Sequence, residues 1–97
     1  MRNKKHIEDR LGSIFGNEQV PKIILVIQFL MEQEKEKHPD GYQGVPEETL
    51  IKKVTGDLKM DEEEAKAFIY FLKSHGVMNI KKGRHYELPS YYSRNYN

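Results

Sequence analysis

Between Asp61 and Leu88 the sequence changes its apolar period from 3.6 to two across a single glycine, and that switch constrains the fold more than any other feature. Ala65, Phe68, Ile69 and Leu72 fall on one face of a helix. Asp61 stands as its N-cap, Glu64 completes a capping box three residues later, and Met60 is placed to staple onto Ala65. This helix is predicted to run to His75, with Gly76 just past its cap, where left-handed backbone is needed. Residues 77–80 and 84–88 then read as a hairpin. A three-residue loop Lys81-Lys82-Gly83 would pair Ile80 with Arg84 and Met78 with Tyr86. That register puts Met78, Ile80, Tyr86 and Leu88 on one face, whereas a two-residue Lys82-Gly83 turn would scramble the faces. Pro89 ends the second strand.

Upstream, Pro21 occupies a first helical position, where its missing N–H costs nothing. Residues 22–37 follow without Gly or Pro. Ile23, Ile24, Val26, Ile27, Leu30 and Met31 make the first half apolar on most sides, so it is predicted to be the buried central helix. The charged residues 32–37 form a solvated end, stopped by the turn chemistry of His38-Pro39-Asp40-Gly41. Val45 reads as a strand of one or two residues. Pro46 opens a further helix from Glu47 to about Val54, with Leu50, Ile51 and Val54 inward and Thr55-Gly56-Asp57 as its break. Near the start, Ile7, Leu11, Ile14 and Phe15 form a helical stripe over residues 5–15, weakened at Gly12 and stopped at Gly16. Such a stripe either folds back onto its own domain or pairs with a second copy or another protein.

The predicted order is helix, helix, short strand, helix, turn, helix, hairpin. This is a mainly α chain with a small β-hairpin, of α+β class, in winged helix-turn-helix order: a three-helix core, a wing and an extra N-terminal helix. Residues 1–19 are an N-terminal extension, 20–89 the winged-helix domain, and 90–97 a flexible Tyr-rich tail. A length of 97 residues suits one domain.

A net charge of +1 hides a strong asymmetry. Residues 1–31 carry a net +2, residues 32–64 a net −6 and residues 65–97 a net +5. There is no cysteine, which removes disulfide and thiolate chemistry. The apolar run from Ile23 to Met31 is too short to span a bilayer, and residues 1–10 are too polar for a secretory signal. A cytoplasmic protein with no membrane association is expected. His6, His38, His75 and His85 are too scattered for a metal site, the glycines make no phosphate loop, and the paired carboxylates sit in solvated helix turns. No enzyme, metal, cofactor or small-molecule substrate is inferred.

The basic end supplies the candidate site. Lys81, Lys82 and Arg84 surround Gly83 at the hairpin tip, with His85 beside them and Lys73 nearby in sequence. Such a tip can lie along a phosphate backbone and release its counterions, or it can simply protect an edge strand. The helix that would enter a major groove begins Asp61-Glu62-Glu63-Glu64, and four carboxylates there repel phosphate while satisfying the cap and the helix dipole. DNA contact is therefore assigned to the hairpin with Lys66, Lys73, Lys52, Lys53 and Lys59. The segment Tyr91-Tyr92-Ser93-Arg94-Asn95-Tyr96 mixes aromatics with a cation, as single-strand-binding surfaces do. A packed or disordered terminus explains it more simply, and that reading is preferred.

Residues 20–88 resemble the C-terminal winged helix of archaeal minichromosome maintenance helicases. The likeness lies in the long first helix with its charged end, Gly44-Val45-Pro46-Glu47-Glu48, Asp61-Glu62-Glu63-Glu64-Ala65, Phe71-Leu72-Lys73-Ser74-His75-Gly76 and the short hairpin. The chain is also similar to stand-alone winged-helix proteins of archaeal viruses and plasmids. The resemblance implies the fold, together with weak contact with DNA or with partners in replication or transcription. The function expected is a small DNA-binding regulator of transcription or replication. The alternative is a protein-interaction module of such an assembly, with little DNA binding of its own.

Overall fold

The computed structural model describes residues 2–95, with the side chains of residues 5–94. It is mostly helical, with a small three-stranded antiparallel sheet, and so of α+β class. The elements run α1 (Arg2–Phe15), α2 (Val20–Lys35), β1 (Val45–Pro46), α3 (Glu47–Leu58), α4 (Glu62–Ser74), β2 (Asn79–Lys82), β3 (His85–Glu87) and α5 (Ser90–Asn95). Strand β3 is central, with β1 and β2 on either side, both antiparallel to it. No helix among the described residues is long and apolar enough to cross a membrane.

Helix α2 is the central element. Ile23, Val26, Ile27, Leu30 and Met31 are buried, and Ile24, Leu25 and Phe29 pack against the same core. Pro21 sits in its first turn, as its sequence position predicts. At the other end Glu36 turns to extended backbone, and the His38 ring donates from Nε2 to the Gln33 carbonyl at 2.7 Å, satisfying one of the helix's orphan acceptors. Gly41 closes the turn that follows, its N–H donating to the His38 carbonyl.

Helix α1 belongs to this core. Ile7 and Leu11 are fully buried within the chain, contributing about 1.5–3 kcal/mol each as removed apolar surface. Their assignment to a partner or dimer interface is thereby corrected: the chain covers them itself. Phe15 is also occupied, its ring edge-on to Phe71 and His75 of the α4 end at 5.4 and 5.3 Å. Ile14 alone of the stripe stays largely outside, at 56% exposure.

Three further expectations change. Helix α3 does not stop at Thr55-Gly56-Asp57 but continues to Leu58, ending on Lys59 in left-handed backbone at φ 58°. Leu58 packs on the core, and a 2.7 Å Lys53–Asp57 ion pair spans the supposed break, outweighing the weak local helix propensity. The hairpin pairs Ile80 with Tyr86 and Lys82 with His85, leaving Gly83-Arg84 as the turn and a bulge between Ile80 and Lys82. Met78, Tyr86 and Leu88 are buried as expected, but Ile80 is 49% exposed. Finally, residues 90–95 are helical rather than a loose tail, with Tyr91 and Tyr92 packed against the core; Tyr96 and Asn97 lie outside the described residues.

Candidate nucleic-acid interface

The hairpin tip gathers Lys81, Lys82, Arg84 and His85 within one turn. All but His85 are exposed. Gly83 lies at φ 55°, a conformation costly for residues with a Cβ, and so supplies the tight reversal. His85 donates from Nδ1 to the Lys82 carbonyl at 3.1 Å, which commits that ring nitrogen to holding the turn. The bulge places Lys81 against Glu87 on the neighbouring strand, 3.7 Å apart. Lys82 and Arg84 are left as the outward cations of the tip.

This tip is anchored to the body from the other side. The Arg84 carbonyl accepts from the Glu47 N–H at 2.9 Å, so the first residue of α3 extends the β1–β3 ladder. The Tyr86 hydroxyl donates to Glu47 Oε2 at 3.2 Å, and burial, then the Glu47 carboxylate, raises the Tyr86 pKa above its ordinary value. Gly44 makes the approach of β1 to β3 feasible. A Cβ there would lie 3.0 Å from the Tyr86 carbonyl oxygen, in a backbone at φ 90°.

Helix α4 is built as the sequence predicts. The Asp61 side chain accepts from the Glu64 N–H at 2.8 Å, and Glu64 accepts from the Asp61 N–H at 3.0 Å. Gly76 at φ 76° ends the helix, with its N–H on the Lys73 carbonyl and the Val77 N–H on the Leu72 carbonyl, the paired bonds of a Schellman motif. Two of the four carboxylates of its first turn therefore serve the cap. A third, Glu62, pairs with Lys66 at 3.3 Å, so Lys66 is partly neutralised within its own helix.

The outward face of α4 holds a residue that sequence reasoning missed. Tyr70 is 66% exposed, with Lys73 Nζ 5.3 Å from its ring centroid. Its signal was present: position 70 falls opposite the Ala65, Phe68, Ile69 and Leu72 stripe, where an aromatic has no core to fill. On α3, Lys52 and Lys59 point outward, but Lys53 closes on Asp57 and lies 5.3 Å from the Phe29 ring of α2. Lys53 thus has a sufficient structural task.

Elsewhere, the Tyr42 hydroxyl is buried without a hydrogen-bond partner among the described residues. Burial, then the Glu34 and Glu87 carboxylates, pushes its pKa up to about 12. Tyr91 and Tyr92 are not splayed as a stacking platform would be. Their rings meet edge to face at 5.2 Å, and the Arg10 guanidinium lies 5.4 Å from the Tyr91 centroid. Among the described residues no group of three or more His, Cys, Asp or Glu gathers in a metal-binding arrangement. No family model, curated protein or solved structure matches this chain.

Proposed function

We propose that the chain is a winged helix-turn-helix protein that binds DNA through its basic hairpin and regulates transcription or replication. The observation that carries this reading is the exposed tip Lys81-Lys82-Gly83-Arg84, held on a strand that α3 anchors through Glu47. The order α2-β1-α3-α4-β2-β3 and the sheet order β1-β3-β2 support the winged helix, with α3 and α4 as the helix-turn-helix pair. In this reading the wing lies along phosphates. Lys73, Lys66, Lys52 and Lys59 add positive surface, and the acidic start of α4 stays off the base edges.

A mobility shift with duplex and single-stranded DNA at two salt concentrations tests it. Each phosphate contact contributes a slope of about −0.9 in log affinity against log salt. If all three tip cations contact phosphate, a fourfold rise in salt weakens the native chain by ~40-fold more than the triple variant Lys81→Gln, Lys82→Gln, Arg84→Gln. Equal affinity of the two proteins at both salts refutes the proposal.

One observation favours a second reading, in which α4 docks a protein partner. Tyr70 is exposed on the outward face of α4, a helix whose first turn is acidic, and large exposed aromatics serve as interface anchors. This reading predicts no DNA shift at physiological salt, together with loss of the partner on charge reversal of Glu62 and Glu63.

A further inference from the structure

The C-terminal end of α4, the last turn of α1 and helix α5 enclose a groove of about 270 Å³, just below the range of small-ligand sites. Ile14 and Phe15 form one part of its wall, Tyr91 and Tyr92 another, with Arg10 and His75 among them. Three features distinguish it from an ordinary surface crevice. Its walls are aromatic and already fixed: Phe15 is held edge-on against His75 at 5.3 Å, and Tyr91 against Tyr92 at 5.2 Å. Its one formally charged lining residue is the Arg10 guanidinium, and the lining includes no Asp or Glu. Its cation is not consumed by an ion pair, because no carboxylate among the described residues pairs with Arg10. The guanidinium lies over the Tyr91 face, an arrangement that leaves N–H donors at its edge.

We infer that this groove is a binding site for a small aromatic carboxylate. The planar fork of Arg10 grips both carboxylate oxygens, and the ligand ring packs on the tyrosines and Phe15. Neither the hairpin nor the outer face of α4 contributes to it, so the inference stands apart from the DNA-binding reading.

The test is an amide-resolved NMR titration of the full chain with benzoate, benzamide, acetate and adenosine monophosphate. Benzoate is expected to shift the Gly76, Tyr91 and Tyr92 amides saturably, with Kd in the range of about 0.1–1 mM for a ligand of this size. Benzamide and acetate, lacking the charge and the ring respectively, bind at least tenfold more weakly. Arg10→Gln lowers benzoate affinity by tenfold or more, and Arg10→Lys, which keeps the charge but not the fork, by less. The comparison of benzoate with benzamide on the native chain needs no variant, so it holds even if Arg10→Gln unfolds. The inference is overturned by equal affinity for benzamide, by undiminished binding to folded Arg10→Gln, by absence of saturation at 10 mM benzoate, or by tighter binding of the nucleotide at these amides.

Discussion

Helices α3 and α4 are neighbours of similar length, yet their ends are made in opposite ways. Helix α4 begins on a reciprocal capping box and ends on a glycine in left-handed backbone with both Schellman bonds. Helix α3 begins at Pro46 without a side-chain cap and ends on a left-handed lysine. The boundaries of α4 are written locally, whereas those of α3 are imposed by packing at Leu50, Val54 and Leu58 and by the tie of Glu47 to the sheet. Substitutions at the ends of α4 should therefore destabilise the fold, and the equivalent changes in α3 should stabilise it.

The largest effect is expected at Gly76. Gly76→Ala places a Cβ in left-handed backbone, with open space around it, so the cost is conformational: about 1–2 kcal/mol by denaturant titration. Asp61→Ala removes one of the two reciprocal cap bonds and should cost ~1 kcal/mol, a fall in Tm of roughly 4–8 °C. The sign then reverses. Gly56→Ala, in a helix interior where a Cβ meets nothing within 4 Å, should stabilise by about 0.5–1 kcal/mol. Lys59→Gly relieves the left-handed lysine but loosens the unfolded chain, leaving a net gain of ~0.5 kcal/mol. A destabilised Gly56→Ala variant would break the comparison, since it would mean that α3 needs its glycine. A neutral Gly76→Ala would break it from the other side.

The same contrast explains what could be read from the residues alone. The span and caps of α4, the short strand at Val45 and the burial of α2 all follow from signals within a few positions. The end of α3 was misplaced because Thr55-Gly56-Asp57 carries turn chemistry locally, while the contacts that override it come from Asp57 to Lys53 and from Leu58 to the core. The hairpin was legible as a hairpin but not in its register. Gly83 serves a two- or a three-residue loop equally well, and Tyr86 keeps the same face whether Met78 or Ile80 lies opposite it, so the local pattern does not choose between them. Helix α5 had no apolar period to announce it; its tyrosines are ordered against a surface that α1, some 80 positions earlier in the chain, provides. Of the candidate cations, the tip group was local and stands together. Lys53 and Lys66 were spoken for by carboxylates one helical turn away, at a spacing that could have been weighed. Tyr70 is legible only as an aromatic on the face opposite the apolar stripe of α4.

Strand β1 is only two residues long, but the hydroxyl of Tyr86 reaches Glu47 across 39 positions of chain. Closing so large a loop is entropically unfavourable until the intervening α3 and α4 have packed, because only then are its ends already near one another. The hairpin on its own is too small to persist in water. In kinetic terms the hairpin is a late arrival: substitutions at Val45 or Tyr86 should accelerate unfolding and leave the refolding rate almost untouched, with φ-values near zero. The basic hairpin would then be the first part of the chain to let go when the fold opens.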